Sequence, residues 1–195
     1  MSEVIRGFNG DSFIKGELVK LVEKFGVKTI VETGTFHGGT TMEFCKIVNK
    51  VFTIEINETY YKGAVEVFSK NKLPITAVKG TSPVEMEKII KGIYTKIEKP
   101  ILFYLDAHWH KYNPLLDELA VISKFKLNNS LIAIHDFKVP GKNFGFDKFS
   151  DGTEYTFEFI KKHVERIYGL DGYSYHYNEQ ADGANRGIIF IYPKQ

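Results

Sequence analysis

The chain holds one cysteine, one tryptophan and six prolines in 195 residues, and it is almost balanced in charge, with 26 lysines and arginines against 24 aspartates and glutamates. One cysteine excludes a disulfide scaffold within the chain. Cys45 falls in the apolar pattern Met42, Phe44, Cys45, Ile47 and Val48, where it reads as a packed side chain. The lysines are interleaved with acids, so no basic face is set aside for tracking phosphates and nucleic acid is not an expected partner. No segment approaches the roughly 20 apolar residues of a membrane span. The start, Met1-Ser2-Glu3-Val4-Ile5-Arg6, lacks the apolar core of a signal peptide. These absences describe a cytoplasmic protein of one domain, residues 1–195, large enough to bury a core without disulfides or structural metal.

Also missing is the G-x-G-x-x-G spacing of a dinucleotide fold. What stands in its place is Thr29-Ile30-Val31-Glu32-Thr33-Gly34-Thr35-Phe36-His37-Gly38-Gly39-Thr40-Thr41, an apolar strand that ends near a carboxylate and breaks into glycines. Gly34 suits a sharp turn, and Gly38 and Gly39 suit a close approach of ligand to the backbone opening the next helix. A pyrophosphate would be repelled by Glu32, whereas a cationic ligand would be attracted, so a sulfonium cofactor fits better than a dinucleotide.

Strand-like and helix-like segments alternate along the rest of the chain, the pattern of a mainly parallel sheet with helices on both faces. Strands are expected at 29–33, 51–55, 75–78, 101–105, 131–134, 173–177 and 187–192. Helices are expected at 12–25, from the glycines to about Val48, after Asn57, from Ser82-Pro83, at 115–125 and at 154–168. The last two strands are joined through 178–186 as an antiparallel pair, and 138–152 reads as a long loop over a site.

In an open α/β sheet, ligands bind beyond the carboxyl ends of the strands. The polar residues there are Glu32 and Gly34, then Glu55, then Gly80-Thr81-Ser82, then Asp106-Ala107-His108-Trp109, then His135-Asp136. Glu55, about twenty residues beyond the glycines, is placed to accept hydrogen bonds from ribose hydroxyls. His108 and His135 are candidate bases, and His37 reads as part of the turn alone. Trp109 is suited to flank an adenine or an acceptor, or to anchor packing. Phe144, Phe146 and Phe149 are suited to a lid or to holding the late loop down.

Glu32-Thr33-Gly34 with Gly38-Gly39, then Glu55, then Asp106, resemble the class I S-adenosylmethionine-dependent methyltransferases over nearly the whole chain. Phe103-Tyr104-Leu105-Asp106-Ala107-His108-Trp109 and Ile134-His135-Asp136 are similar to the metal-dependent small-molecule O-methyltransferases of the catechol and macrolide-sugar types. The resemblance implies a Rossmann-like, doubly wound sheet of seven strands, mainly parallel with an antiparallel last strand. It implies methyl transfer from S-adenosyl-L-methionine to a hydroxyl of a small molecule, a sugar or a phenol. Glu32, Gly34, Thr35, Gly38, Gly39, Thr40, Glu55, Ser82 and Asp106 would bind the cofactor. Asp106, His135 and Asp136 would hold Mg²⁺ or another divalent cation, and His108, Asp106 and His135 would act in catalysis. His135 stands where that family usually has Asp. Magnesium prefers oxygen, so direct ligation by His135 or His108 would favour Mn²⁺, Fe²⁺ or Zn²⁺.

The implied partner is a small-molecule acceptor, with neither nucleic acid nor membrane and with a homodimer possible. Within the same class stands a metal-independent enzyme using His108 or His135 as base. Outside it stand a noncatalytic Rossmann-like module, and an oxidative relative with His108, His135 and Asp136 as iron ligands. A nicotinamide oxidoreductase is disfavoured by the glycine spacing. A nucleic-acid amino-methyltransferase is disfavoured because no Asn or Asp followed by Pro-Pro and an aromatic comes after the fourth strand.

Overall fold

The computed structural model describes residues 6–107 and 113–195. In chain order the elements are α1 (Ser12–Phe25), β1 (Thr29–Thr33), α2 (Gly39–Phe44), β2 (Lys50–Glu55), α3 (Glu58–Lys70), β3 (Ile75–Lys79) and α4 (Ser82–Ile90). There follow β4 (Ile101–Leu105), α5 (Leu115–Lys124), β5 (Leu131–His135), α6 (Phe157–Tyr168), β6 (Tyr173–Tyr177) and β7 (Ile188–Pro193). One seven-stranded sheet runs β3-β2-β1-β4-β5-β7-β6. It is parallel except where β7, lying between β5 and β6, pairs antiparallel with both. The doubly wound sheet expected from the sequence is therefore present.

Strands β1, β4 and β5 are buried at every residue, which is why they read as near-continuous apolar runs. Alternate side chains feed two cores. On one face Val31, Phe103, Ile132 and Ile189 meet α4, α5 and α6 through Met86, Leu119 and Ile160. On the other face Ile30, Leu102, Tyr104, Ala133 and Phe190 meet α1 and α2 through Ile14, Leu18 and Phe44. Asp11 caps α1 with its carboxylate on the Ile14 N–H, and Asn57 caps α3 on the Thr59 and Tyr60 N–H groups, as such residues do at helix starts.

Three local features depart from the sequence reading. α2 stops at Phe44 rather than near Val48: the Lys46 and Ile47 N–H groups turn back to the Glu43 and Phe44 carbonyls, bringing the chain round into β2. α6 begins at Phe157 rather than 154, because Glu154 forms a bridge with Lys148 and its carboxylate pairs with Lys138 and Lys148. Before α1, Gly7–Gly10 makes a tight turn with Phe8 and Asn9 at φ 54° and 53°. It inserts Phe8 against Phe44 and Tyr104 at 5.4 and 6.1 Å between ring centres. Cys45 is half-buried beside that core, as expected.

Sheet order reverses between β1 and β4, since each is followed along the chain by a strand on its own outer side. The crevice beyond their carboxyl ends is where open α/β sheets bind ligands.

Candidate active site

Gly34 follows β1 at φ 83°, and a Cβ there would lie 2.4 Å from the Asp106 carbonyl oxygen and 3.3 Å from the Ala107 Cα. Only a residue without a side chain lets the two strand ends come this close. Beyond it the loop is pinned at Phe36, a left-handed residue at φ 49°. The Phe36 N–H donates to Glu55 Oε2 at 2.8 Å, while the Asn57 N–H donates to Glu55 Oε1, also at 2.8 Å. Gly38, at φ 78°, packs so closely on α3 that a Cβ would sit 2.5 Å from the Phe68 ring.

This framework leaves a cavity of about 240 Å³ at the ends of four successive strands of the sheet. Gly34 and Phe36 follow β1; Ile54 and Glu55 end β2, with Ile56, Asn57 and Tyr60 after it. Gly80, Thr81 and Ser82 come from the end of β3, and Ala107 and Pro114 from beyond β4. Ile56 is 58% exposed, an apolar surface set directly beside a carboxylate. The cavity is smaller than the about 300–1,000 Å³ usual for whole small-molecule ligands.

Glu32 is not on that wall. It is 1% exposed and lies under α2, where Thr41 Oγ1 and Thr53 Oγ1 both donate to its Oε2, the latter at 2.6 Å. Thr35 Oγ1 lies 2.6 Å from Thr53 Oγ1 and extends the chain of hydroxyls. Burial pushes the Glu32 carboxyl up to about 8 against the opposing pull of the two hydroxyls. Burial therefore favours its neutral form, and in place of the open anion expected from the sequence the group braces β1, β2 and α2. Thr40 is likewise engaged, its Oγ1 accepting from the Phe8 N–H at 2.9 Å.

Across the crevice, His135 closes β5 with 1% of its side chain exposed. Its Nδ1 stands 3.2 Å from Asp106 Oδ1 and 3.2 Å from Asp136 Oδ1. Both ring nitrogens are buried and neither makes a hydrogen bond among the described residues, so the Nδ1 contacts are ion pairs by distance. Burial works against charge on this ring, but the two aspartates outweigh it and push the imidazole up to about 10. Asp136 takes a left-handed φ of 56°, a conformation that Asp and Asn adopt more readily than other non-glycine residues. Arg186, far along the chain, donates from Nε to Asp136 Oδ1 and from Nη2 to Asp147 Oδ1.

No protein-family model matches this sequence, and no curated protein matches it significantly. Solved structures do. TomG, an O-methyltransferase from Streptomyces achromogenes solved with S-adenosylmethionine, superposes with a TM-score of 0.64 at 12% identity, covering 93% of this chain and 80% of that one. A Bacillus cereus O-methyltransferase solved with S-adenosylhomocysteine gives 0.62 at 16%, covering 94% and 81%. A Clostridium thermocellum protein provisionally described as an rRNA methylase gives 0.56 at 19%, covering 92% and 96%. The fold is that of a class I methyltransferase.

On this methyltransferase fold, Gly34, Glu55 and Ser82 line the cavity, and Gly38 shapes the loop beside it. Glu32, Thr35 and Thr40 sit behind it in the hydrogen bonds just described, and Gly39 is the buried first residue of α2. Asp106, His135 and Asp136 come together with donor atoms within 4.8 Å of one another. His108 and Trp109 lie outside the described residues. Phe149 packs on Tyr155 and Phe159 at 4.8 Å each, which holds the late loop down. Sequence reasoning missed Thr53 and Arg186. The first had only a polar residue inside an apolar strand as its signal, and the second sat unnoticed in a connection.

The spacing of the acidic cluster suits a divalent ion, but one oxygen of each aspartate already faces a nitrogen. Asp136 Oδ1 already faces two nitrogens, the His135 Nδ1 and the Arg186 Nε. An imidazole must lose its proton to ligate, and magnesium seeks an all-oxygen shell. As arranged, these residues do not fit the Mg²⁺ centre implied by the resemblance.

Proposed function

We propose that this protein transfers a methyl group from S-adenosylmethionine to a hydroxyl of a small molecule, a sugar or a phenol. The observation that carries the reading is the cavity at the ends of the β1 to β4 strands, with Glu55 on its floor and Ile56 beside it. Two neighbours of the same fold were solved with S-adenosylmethionine or its demethylated product, and the neighbours include several O-methyltransferases.

When bound, S-adenosylmethionine supplies a methyl group already activated by its sulfonium sulfur, so the protein's task is to orient the acceptor and take its proton. Glu55 spends one lone pair of each oxygen on the Phe36 and Asn57 N–H groups and retains another on each for ribose hydroxyls. Ile56, Phe36 and Tyr60 offer apolar surface for a base. Asp106, with 24% of its side chain exposed between this cavity and His135, is the group we assign to receive the hydroxyl proton. His135 holds it in place at 3.2 Å. Asp106 would take the proton that the acceptor hydroxyl gives up on methylation.

The test is calorimetry with S-adenosylhomocysteine and with NAD, followed by methyl transfer to a panel of sugars and phenols. Micromolar binding of the first and none of the second is expected. No binding of S-adenosylhomocysteine would leave a noncatalytic module as the better reading.

A further inference from the structure

The cation at Asp136 comes from the chain itself. Arg186 stands at the entry to β7, and its backbone is fixed on both sides. The Gly187 N–H donates to the Gly145 carbonyl at 2.9 Å, and the Gly145 N–H to the Asn185 carbonyl at 2.9 Å. Asn178 Nδ2 donates to the Arg186 carbonyl at 3.1 Å. The side chain lies against Gly145, where a Cβ would fall 2.9 Å from Nη1 and 3.0 Å from Cδ. From that slot Nε reaches Asp136 and Nη2 reaches Asp147. The Asp147 N–H in turn donates to the Asp136 carbonyl at 2.9 Å. A guanidinium stays protonated throughout the working pH range, and its fork suits two carboxylates at once.

We propose that Arg186 is the resident cation of this site, standing at Asp136 where a divalent ion would otherwise bind, and that methyl transfer in this protein runs without a metal. The inference rests on the methyltransferase reading for the reaction but not for the charge balance. A dication brought to Asp136 would meet the guanidinium at close range, in surroundings where only 27% of the arginine and 14% of the aspartate side chain are exposed and screening is weak. The same fork ties Asp147, and with it the loop 138–152, to the end of β5. A metal that displaced Arg186 would remove that side-chain tie while leaving the backbone bond from Asp147 to Asp136 in place.

Mn²⁺ is the probe, followed by electron paramagnetic resonance on the full chain with neither methyl donor nor acceptor present. Wild type is expected to take up no Mn²⁺ at about 1 mM, a level at which even weak sites fill. Arg186→Met is expected to gain a site at least about tenfold tighter, and Asp136→Asn in that background to lose it. Arg186→Lys, which keeps a point charge but not the fork, is expected to fall between them. Mn²⁺ uptake by wild type that Asp136→Asn abolishes would overturn the proposal, as would an Arg186→Met protein that folds and gains nothing. If Arg186→Met fails to fold, wild type and Arg186→Lys decide. In the same preparation, wild-type methylation should be unchanged by chelator. Absent S-adenosylhomocysteine binding would count against the methyltransferase reading and leave the Mn²⁺ result standing.

Discussion

Two carboxylates with similar sequence settings, each near the end of an apolar strand, have been given opposite work by their surroundings. Glu55 faces the cavity and meets two backbone N–H groups, whereas Glu32 is sealed under α2 and meets two hydroxyls. For Glu55 the expectation concerns binding. A hydrogen bond to a charged group contributes about 1.5–3 kcal/mol, so Glu55→Gln should weaken S-adenosylhomocysteine by roughly 10- to 100-fold by calorimetry. A loss confined to melting temperature, with affinity intact, would remove the ribose role. For Glu32 the expectation concerns pH. Its carboxyl ionises near 4.5 ordinarily and near 8 in the folded chain. Between those values the native state keeps a proton that the unfolded chain gives up. Its stabilising share is therefore whole below about 4.5 and is lost as pH rises toward 8. Glu32→Gln keeps a group that the two threonines can still reach and removes the titration. The variant should be more stable than wild type at alkaline pH, by on the order of a few kcal/mol, and the gap should shrink on acidification. His135 adds a slope of the same sign to both proteins, so the difference between their melting curves isolates Glu32.

At the scale of the element, the loop between β1 and α2 is decided by glycines whose missing side chains are filled by neighbours. Gly34→Ala forces a left-handed alanine whose Cβ meets the Asp106 backbone oxygen at 2.4 Å, and neither backbone has a flexible end to move. A loss of about 2–4 kcal/mol is expected, read by calorimetric melting, together with loss of S-adenosylhomocysteine binding. Gly63→Ala in α3 is the control. Its Cβ would meet nothing within 4 Å, and alanine in a helix is favoured by about 0.5–1 kcal/mol. If both substitutions cost the same, the close approach at Gly34 is not what shapes the crevice. Elements of this kind divide what the sequence shows from what it hides. The buried strands and the Asn57 cap are legible because burial on both faces and a side-chain acceptor at a helix start leave their mark in adjacent residues. Phe8 at φ 54° and the early stop of α2 leave none. The first accompanies the packing of Phe8 onto Phe44 and Tyr104, residues distant in sequence, and the second is a turn in which the Lys46 and Ile47 N–H groups bond back to Glu43 and Phe44. Arg186 is hidden as Phe8 is, since it meets Asp136 across 50 positions and only the antiparallel insertion of β7 brings it there. The polarity of Glu32 was legible, but its burial was not. A pattern of residue types cannot tell a carboxylate at the mouth of a crevice from one beneath a helix.

At the scale of the molecule, β7 joins everything. It lies between β5 and β6 and sends Ile189 and Ile191 into one core and Ile188 and Phe190 into the other. The segment leading into it returns to the start of the chain. Asp182 accepts from the Ser12 N–H at 2.6 Å and the Ser12 hydroxyl at 2.7 Å, while its own N–H donates to Asp11 at 3.2 Å. Both cores, the first helix and the Arg186 slot therefore depend on one late strand. Such a chain should unfold as a unit, because β7 supplies buried side chains to both cores at once. Phe190→Ala opens a void on the α1 side, and Ile191→Ala opens one on the α6 side. Each should cost about 2–5 kcal/mol, and each should lower the same transition. Far-UV circular dichroism and calorimetry on the two variants and their double would show one coincident midpoint if this holds. A second transition in the Phe190→Ala protein, with the α4, α5 and α6 side still folded, would mean that the two faces are separate units. The crevice between β1 and β4 would then be framed by parts that come apart independently.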